Sequence, residues 1–326
     1  MHPKPRQRLA IDHALQPGAA LQLEGNHAHY LGHVLRAQPG EHVALFNRTD
    51  GEWLAQITEV KKKSIALQLV AQTKAAQVGV DMWVAFAPIK GGRLETIIEK
   101  ATELGAAQLH PVLTQRTIVD KVNAERAESI AREAAEQCER TDWPLIHAPQ
   151  KLAQWLGSFP TDRVLIYGDE TGGGVALQDV LRGHLRCLEG AASPSPANGG
   201  LTPPASGSAL RPTQEMHQPR EDTARSAEAR AAARGGSATE GSEGGGLAPP
   251  FMPEGQPIKW AILAGPEGGF TPDELAMLRH CKQARGVSLG PRILRADTAI
   301  ITLAAMTLAA WGDWHRAPRF EGGIPS

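Results

Sequence analysis

The sequence predicts an α/β protein built on a mostly parallel sheet, with a small β-barrel ahead of it. Three observations carry this expectation. From Asp81 onward, short apolar runs alternate with helical periodicity, the pattern left by parallel strands and their crossover helices. Residues 1–75 instead hold short β-like runs punctuated by Pro17-Gly18, Pro39-Gly40 and Asp50-Gly51. Residues 261–274, AILAGPEGGFTPDE, pass from a short buried strand through a glycine loop straight into a helix start.

In the first region, strands are expected at 19–23, 42–47, 53–60 and 64–70. Asp50-Gly51 is a hairpin turn signal, and a short helix around 27–36 interrupts the set. Residues 72–78 read as a linker. A buried strand at 82–87 follows, then a helix at 92–104. Leu94, Ile97, Ile98, Ala101 and Leu104 share one face of that helix, and Gly105 stops it. A strand at 108–113 is broken by Pro111. Asn123 caps a long helix to about residue 140. A short strand at 144–147 and a short helix at 150–156 come next. The strand 163–167 ends in Gly168-Asp169-Glu170 and then Gly172-Gly173-Gly174, ahead of a helix at 175–187.

Composition then changes. Residues 189–256 contain one aromatic, Phe251, and no Ile or Val, and Gly, Pro, Ser and Ala dominate. Such a segment cannot bury enough apolar surface to offset its ordering entropy, so disorder is expected. The pattern resumes with a strand at 258–264, a helix at 271–280, a strand at 286–289 and a helix at 297–312.

The glycine loop is the most informative stretch. Gly265-Pro266-Glu267-Gly268-Gly269 is shaped by backbone rather than side chains. Thr271 suits an N-cap, Pro272 the first helical position, and Glu274 completes a capping box. A second unusual stretch, VSLGPRILRADTA at 287–299, leaves a strand through Gly-Pro and gathers Arg292, Arg295 and Asp297 before an apolar helix. Two such loops close in sequence suit the two walls of one pocket, since open α/β sheets present ligands at strand C-termini.

The totals set bounds. A chain of 326 residues with 41% hydrophobic residues suggests two domains and an insert. A net charge of −1 does not advertise nucleic-acid binding, but 189–256 carries −3 of it and leaves the remainder at +2. Cys138, Cys187 and Cys281 are scattered, which argues against a disulfide framework or a zinc site and fits a reducing cytoplasm. His27, His29 and His33 have no acidic or cysteine partner in sequence, so no metal site is expected. The amino terminus lacks a signal-peptide apolar region. The longest apolar run, 299–311, spans roughly 20 Å as a helix, short of a bilayer core.

GPEGGF followed by LGPRILRADTA resembles the RsmE family of SPOUT methyltransferases, and KATELG (100–105), EQCER (136–140) and HVLR (33–36) are similar to it as well. The similarity covers nearly the whole chain outside 189–256. It implies a trefoil-knotted α/β SPOUT methyltransferase domain at 80–326, with 189–256 as an insertion, behind a PUA-like RNA-binding β-barrel at 1–75. It implies S-adenosylmethionine (SAM) as methyl donor and N3 of a uridine in 16S ribosomal RNA of the small subunit as acceptor. It implies no metal. It also implies a cytoplasmic homodimer with the last helix at or near the interface. The rival readings are a SPOUT enzyme with another RNA target, and an inactive RNA-binding or assembly protein.

On this resemblance, Leu263, Gly265, Pro266, Gly268 and Gly269, with Leu289, Gly290, Ile293 and Leu294, hold SAM. The plain alternative for the glycines is a tight turn. A phosphate loop is disfavoured because no Lys-Ser/Thr follows and Glu267 would repel phosphate. Removing the N3 proton builds negative charge on the base, which a cation stabilises and a carboxylate assists. Arg295 is the candidate cation and Arg292 its alternate. Either could instead pair with Asp297 or Glu267. Asp297 and Glu267 are candidate proton acceptors, although Asp297 could equally cap the last helix, and the family commonly has Glu at its position. Arg6, Arg8, Arg36, Arg116, Arg140 and Arg292 are candidate RNA-phosphate contacts, with ordinary surface charge as the alternative. Lys100 and Glu103 read first as a helical surface pair.

Overall fold

The structure is a computed structural model that describes residues 3–77, 79–171, 173–182 and 258–315. The insertion expected at 189–256 and the end of the helix expected at 175–187 lie outside the described residues. The described chain holds two sheets.

The first sheet has strands β1 (Arg8–Ala10), β2 (Ala20–Glu24), β3 (His42–Asn47), β4 (Gly51–Val60) and β5 (Ser64–Lys74), in the order β1-β3-β4-β5-β2. Its inner face buries Leu9, Leu23, Val43, Leu45, Ile57 and Leu67 around Leu31. Register shifts between β4 and β5 curl the sheet, as bulges do. Gly51 follows the hairpin turn at φ +72°, and a Cβ there would lie 2.2 Å from the Lys74 carbonyl oxygen, so only glycine fits. The helix expected around 27–36 is a short α-helix, Gly25–His29, continued by π-type turns at Tyr30–Val34. β1 was not anticipated, because three residues show no periodicity. β5 extends to Lys74, into the expected linker.

The outer face of this sheet is buried too. Ala10 and Phe46 join the core of the second region, against helix Ala124–Gln137. Arg8 makes this junction. Its guanidinium pairs with Glu52 at 2.6 Å, donates to the carbonyls of Ala135, Glu136 and Arg140, and lies 4.6 Å over the Phe46 ring.

The second sheet comprises β6 (Met82–Phe86), β7 (Gln108–Leu113), β8 (Leu145–Ile146), β9 (Gln150–Lys151), β10 (Val164–Gly168), β11 (Val175–Ala176), β12 (Trp260–Ala264) and β13 (Ala284–Ser288). The order is β11-β13-β10-β12-β6-β7-β8, with β9 also on β7. All pairings among these described strands are parallel. Pro111 does not break β7, where it pairs with Phe86. The expected helix at 150–156 is a short strand and then helix Leu152–Gly157. The helix expected at 175–187 begins at 177, after β11.

Strand alternation divides the core into two layers. Val84, Ile166, Trp260 and Ile262 face helices Gly92–Glu103, Ala124–Gln137 and Ala296–Trp311, whereas Ala85, Leu165, Ala261 and Leu263 face helices Leu152–Gly157 and Pro272–His280. Burial on both faces explains why these strands read as continuous apolar runs. Trp260 Nε1 donates to Thr307 Oγ1 at 3.1 Å and fastens the last helix to β12.

Candidate active site

The adjacent strands β13, β10 and β12 end side by side, and the segments leaving their C-terminal ends enclose a cleft with a cavity of about 200 Å³. Its walls come from 168–170, from 264–267 with Gly269, and from 287–294 with Ala296, with Ala299 of the last helix behind them.

The glycine loop owes its shape to its glycines. A Cβ at Gly265 would lie 2.9 Å from the Phe270 ring, and one at Gly269 (φ +69°) would lie 2.0 Å from Glu170 Oε1. Phe270 is buried and meets Tyr167 edge-on, with ring centroids 6.4 Å apart. The capping box read from the sequence forms at Thr271 and Glu274. Glu274 does more than close it. Its Oε1 accepts the backbone N–H of Gln115 at 2.7 Å, tying helix Pro272–His280 to the turn after β7. Next in chain, Arg116 donates to the Gly268 carbonyl at 2.5 Å. On the opposite wall, Asp169 is buried. Burial works against its charge, but hydrogen bonds from Thr171 and Arg279 hold its carboxyl below the usual value.

Seven of the residues expected at the pocket line it together: Gly265, Pro266, Gly269, Leu289, Gly290, Ile293 and Leu294, beside Glu267 and Arg292. Leu263 does not. It is fully buried on the opposite face of β12, and its neighbour Ala264 lines the cleft instead. Gly268 also lies off the cleft, against Arg116. Arg295 is exposed and occupies the N-cap position of helix Ala296–Trp311, between two lining residues. Among the described residues neither Arg292 nor Arg295 pairs with a carboxylate; Glu267 pairs with Arg93 instead. Asp297 does not cap the last helix. It lies in the first turn, where its charge suits the helix dipole, and its Oδ1 is buried with no hydrogen-bond partner among the described residues.

Two expected RNA contacts are corrected. Arg8 is spent at the junction between the sheets. Arg140 pairs with Asp142 at 3.0 Å and donates to the carbonyls of Thr102 and Ala106, so it locks EQCER onto KATELG inside the protein. Arg6 pairs with Glu41 at 2.7 Å. Arg36 is exposed in left-handed backbone at φ 51°. Lys100 bonds Glu99 and Glu103 along its own helix. The third wall was missed. Gly168-Asp169-Glu170 stood out in the sequence as a strand end, but nothing local ties it to a loop about 100 residues away.

The sequence matches the RNA methyltransferase domain over residues 76–186 and 226–308, more than half of the chain. The chain belongs to the RNA methyltransferase family. Residues 23–70 match the RNA methyltransferase PUA domain, a span that holds β3, β4 and most of β5 of the first sheet. Relatives of this methyltransferase include the ribosomal RNA small subunit methyltransferase E of Rickettsia conorii, 28% identical over 91% of this chain and 93% of the relative. The protein of the same name from Synechocystis is 28% identical over 86% of this chain and 70% of the relative. The fold is shared with the Neisseria gonorrhoeae ribosomal RNA small subunit methyltransferase E, solved bound to S-adenosyl methionine (TM-score 0.65, 19% identity, 94% and 99% of the two chains). A Legionella pneumophila protein solved with SAM superimposes with a TM-score of 0.64 at 24% identity over 94% and 98% of the chains.

Proposed function

We propose that this methyltransferase moves the methyl group of SAM to N3 of a uridine in the 16S RNA of the small ribosomal subunit. The observation that carries the reading is the meeting of the two glycine-proline loops at the ends of β12 and β13 around one cleft. The names of the relatives, and the SAM held by two proteins of the same fold, point the same way.

The cleft suits SAM. Gly265 and Gly269 let the loop close against Phe270 and Glu170 beside the cleft, and Leu289, Ile293 and Leu294 offer apolar walls for an adenosine. Asp169 places a buried carboxylate at the cleft, suited to a donor that carries sulfonium and ammonium charge. SAM supplies a methyl already activated on sulfur, so the protein's task is to orient the groups and manage one proton. Arg295, with no carboxylate partner among the described residues, is the cation that stabilises charge on the deprotonated base. Glu267 or Asp297 takes the N3 proton. Arg292, exposed at the cleft, and Arg116, exposed beside Gly268, meet RNA phosphates. In this reading residues 1–75 dock RNA and 80–326 form the catalytic domain with 189–256 as its insertion, threaded through the trefoil that the family resemblance implies.

A cytoplasmic homodimer belongs to the same reading. The last helix buries Ile300, Leu303, Ala304, Thr307 and Leu308, while Ile301 and Ala305 stay partly exposed and Ala309 is exposed, leaving a second apolar face for a partner copy. Sedimentation showing only monomer at micromolar concentration would refute the dimer.

The test is methyl transfer from labelled SAM to small ribosomal subunits that lack the modification, followed by mass mapping. Label at N3 of one uridine, abolished in Arg295→Ala with SAM binding retained, is the expected result. SAM binding without label on these subunits would redirect the search to other RNA substrates.

A further inference from the structure

Glu267 is the central residue of the glycine loop and lines the cleft, yet its carboxylate is engaged from outside. The partner is Arg93, 174 positions away in sequence, in the first turn of helix Gly92–Glu103. We propose that this ion pair is a latch opened by the RNA substrate: a phosphate takes Arg93 from Glu267 and leaves the Glu267 carboxylate free at the cleft. The inference rests on the functional reading above.

Three observations carry it. First, the pair is cheap to exchange. The side chains are 40% and 53% exposed, and a pair so well solvated contributes little to the fold. Second, a guanidinium presents paired N–H donors that fit a backbone phosphate as well as a carboxylate, and an RNA strand brings one such charge with every nucleotide. Third, Arg93 is not alone. Arg116 touches the same loop at the Gly268 carbonyl, and Arg292 lies across the cleft. An RNA strand laid over the glycine loop meets Arg93 and Arg116 on the loop itself and Arg292 across the cleft, and Glu267 is the carboxylate that competes for the first. Once released, Glu267 can accept the N3 proton, and the N–H bonding pair stays on nitrogen to form the N–C bond to the sulfonium methyl while the C–S bonding pair leaves with sulfur as S-adenosylhomocysteine. The device couples proton acceptance to correct seating of the RNA, so the carboxylate is not left bare in the absence of substrate.

The test is filter binding of unmodified small ribosomal subunits over a salt series, with SAM affinity measured by calorimetry as the control for an intact cleft. Arg93→Ala should weaken subunit binding about fivefold and reduce the salt slope by about one, the signature of one lost phosphate contact. Glu267→Gln should bind subunits about threefold tighter, because the competitor for Arg93 is gone, while methyl transfer falls at least about tenfold. SAM affinity should stay within about twofold of wild type in both. Subunit binding unchanged in Arg93→Ala, or weakened in Glu267→Gln, would overturn the latch while wild-type transfer stands. Failure of the wild-type chain to bind or label subunits would overturn the functional reading itself.

Discussion

The backbone N–H of Phe270 donates to Oε1 of Glu170 at 3.0 Å, joining the glycine loop to the turn that leaves β10. Gly269 makes this contact possible, since any Cβ there would collide with the same oxygen. Gly269→Ala must therefore both hold a left-handed backbone, at about 1–2 kcal/mol, and push Glu170 aside. SAM affinity measured by calorimetry should fall by roughly tenfold or more. Glu170→Gln keeps an acceptor oxygen and should bind SAM within about threefold of wild type.

Glu274 is 2% exposed and serves two elements at once. It accepts from the Thr271 backbone at 2.9 Å and from the Gln115 backbone at 2.7 Å. Glu274→Ala removes a helix cap and strips a partner from a part-buried N–H, for an expected loss of about 2–4 kcal/mol. Thr271→Ala loses only the cap, about 1 kcal/mol. Urea unfolding of the two variants checks the ranking.

Arg8 and Arg292 should separate stability from RNA binding. Arg8→Ala leaves buried Glu52 with the Thr73 hydroxyl at 2.8 Å and, among the described residues, only Lys74 as a cation, at 3.9 Å, and should cost about 3 kcal/mol, the lower end for breaking a buried pair. Arg292→Ala, exposed at the rim, should change stability by no more than about 0.5 kcal/mol while lowering subunit affinity and the salt slope. Thermal unfolding and filter binding of the same two proteins would show the crossover.

His110 makes the fold sensitive to acid. Its ring stacks between Trp83 and His147, at 4.6 and 4.1 Å, and its Nδ1 accepts from Trp155 Nε1 at 3.3 Å. Burial, followed by the charges of His147 and Arg163, pushes its pKa down from 6.5 to about 3. The folded ring refuses a proton that the unfolded chain accepts. Its contribution is therefore whole above pH 6.5 and is lost as pH falls from there toward 3. At pH 5 the expected loss is about 2 kcal/mol. His147, also shifted down by burial, adds to it in the same direction. Urea unfolding at pH 7.5 and pH 5 should show the drop, and His110→Gln should flatten it.

Much of the fold and part of the site were legible before the structure, and particular residues show where the line falls. Thr271, Pro272 and Glu274 announced their helix because a cap is made within four residues. Gly105 announced the end of another for the same reason, and it adopts φ +86°. The parallel sheet was readable because burial on both faces imposes continuous apolar runs. Local signals failed where a partner is remote. Leu263 and Ala264 look alike as a sequence, yet strand pairing turns one into the core and the other toward the cleft. Arg8, Arg140 and Arg292 are equally basic letters, yet two are consumed by internal carbonyls and carboxylates and one is left exposed.

The sequence by itself determined the α/β class, the two glycine-proline loops and the chemistry their residues can support, because these depend on periodicity, capping and backbone freedom over short distances. Tertiary structure alone decided that Glu170 meets Phe270 and that Arg93 holds Glu267. Those pairings join segments separated by 100 and 174 positions, and only the order of strands in the sheet brings them within a hydrogen bond.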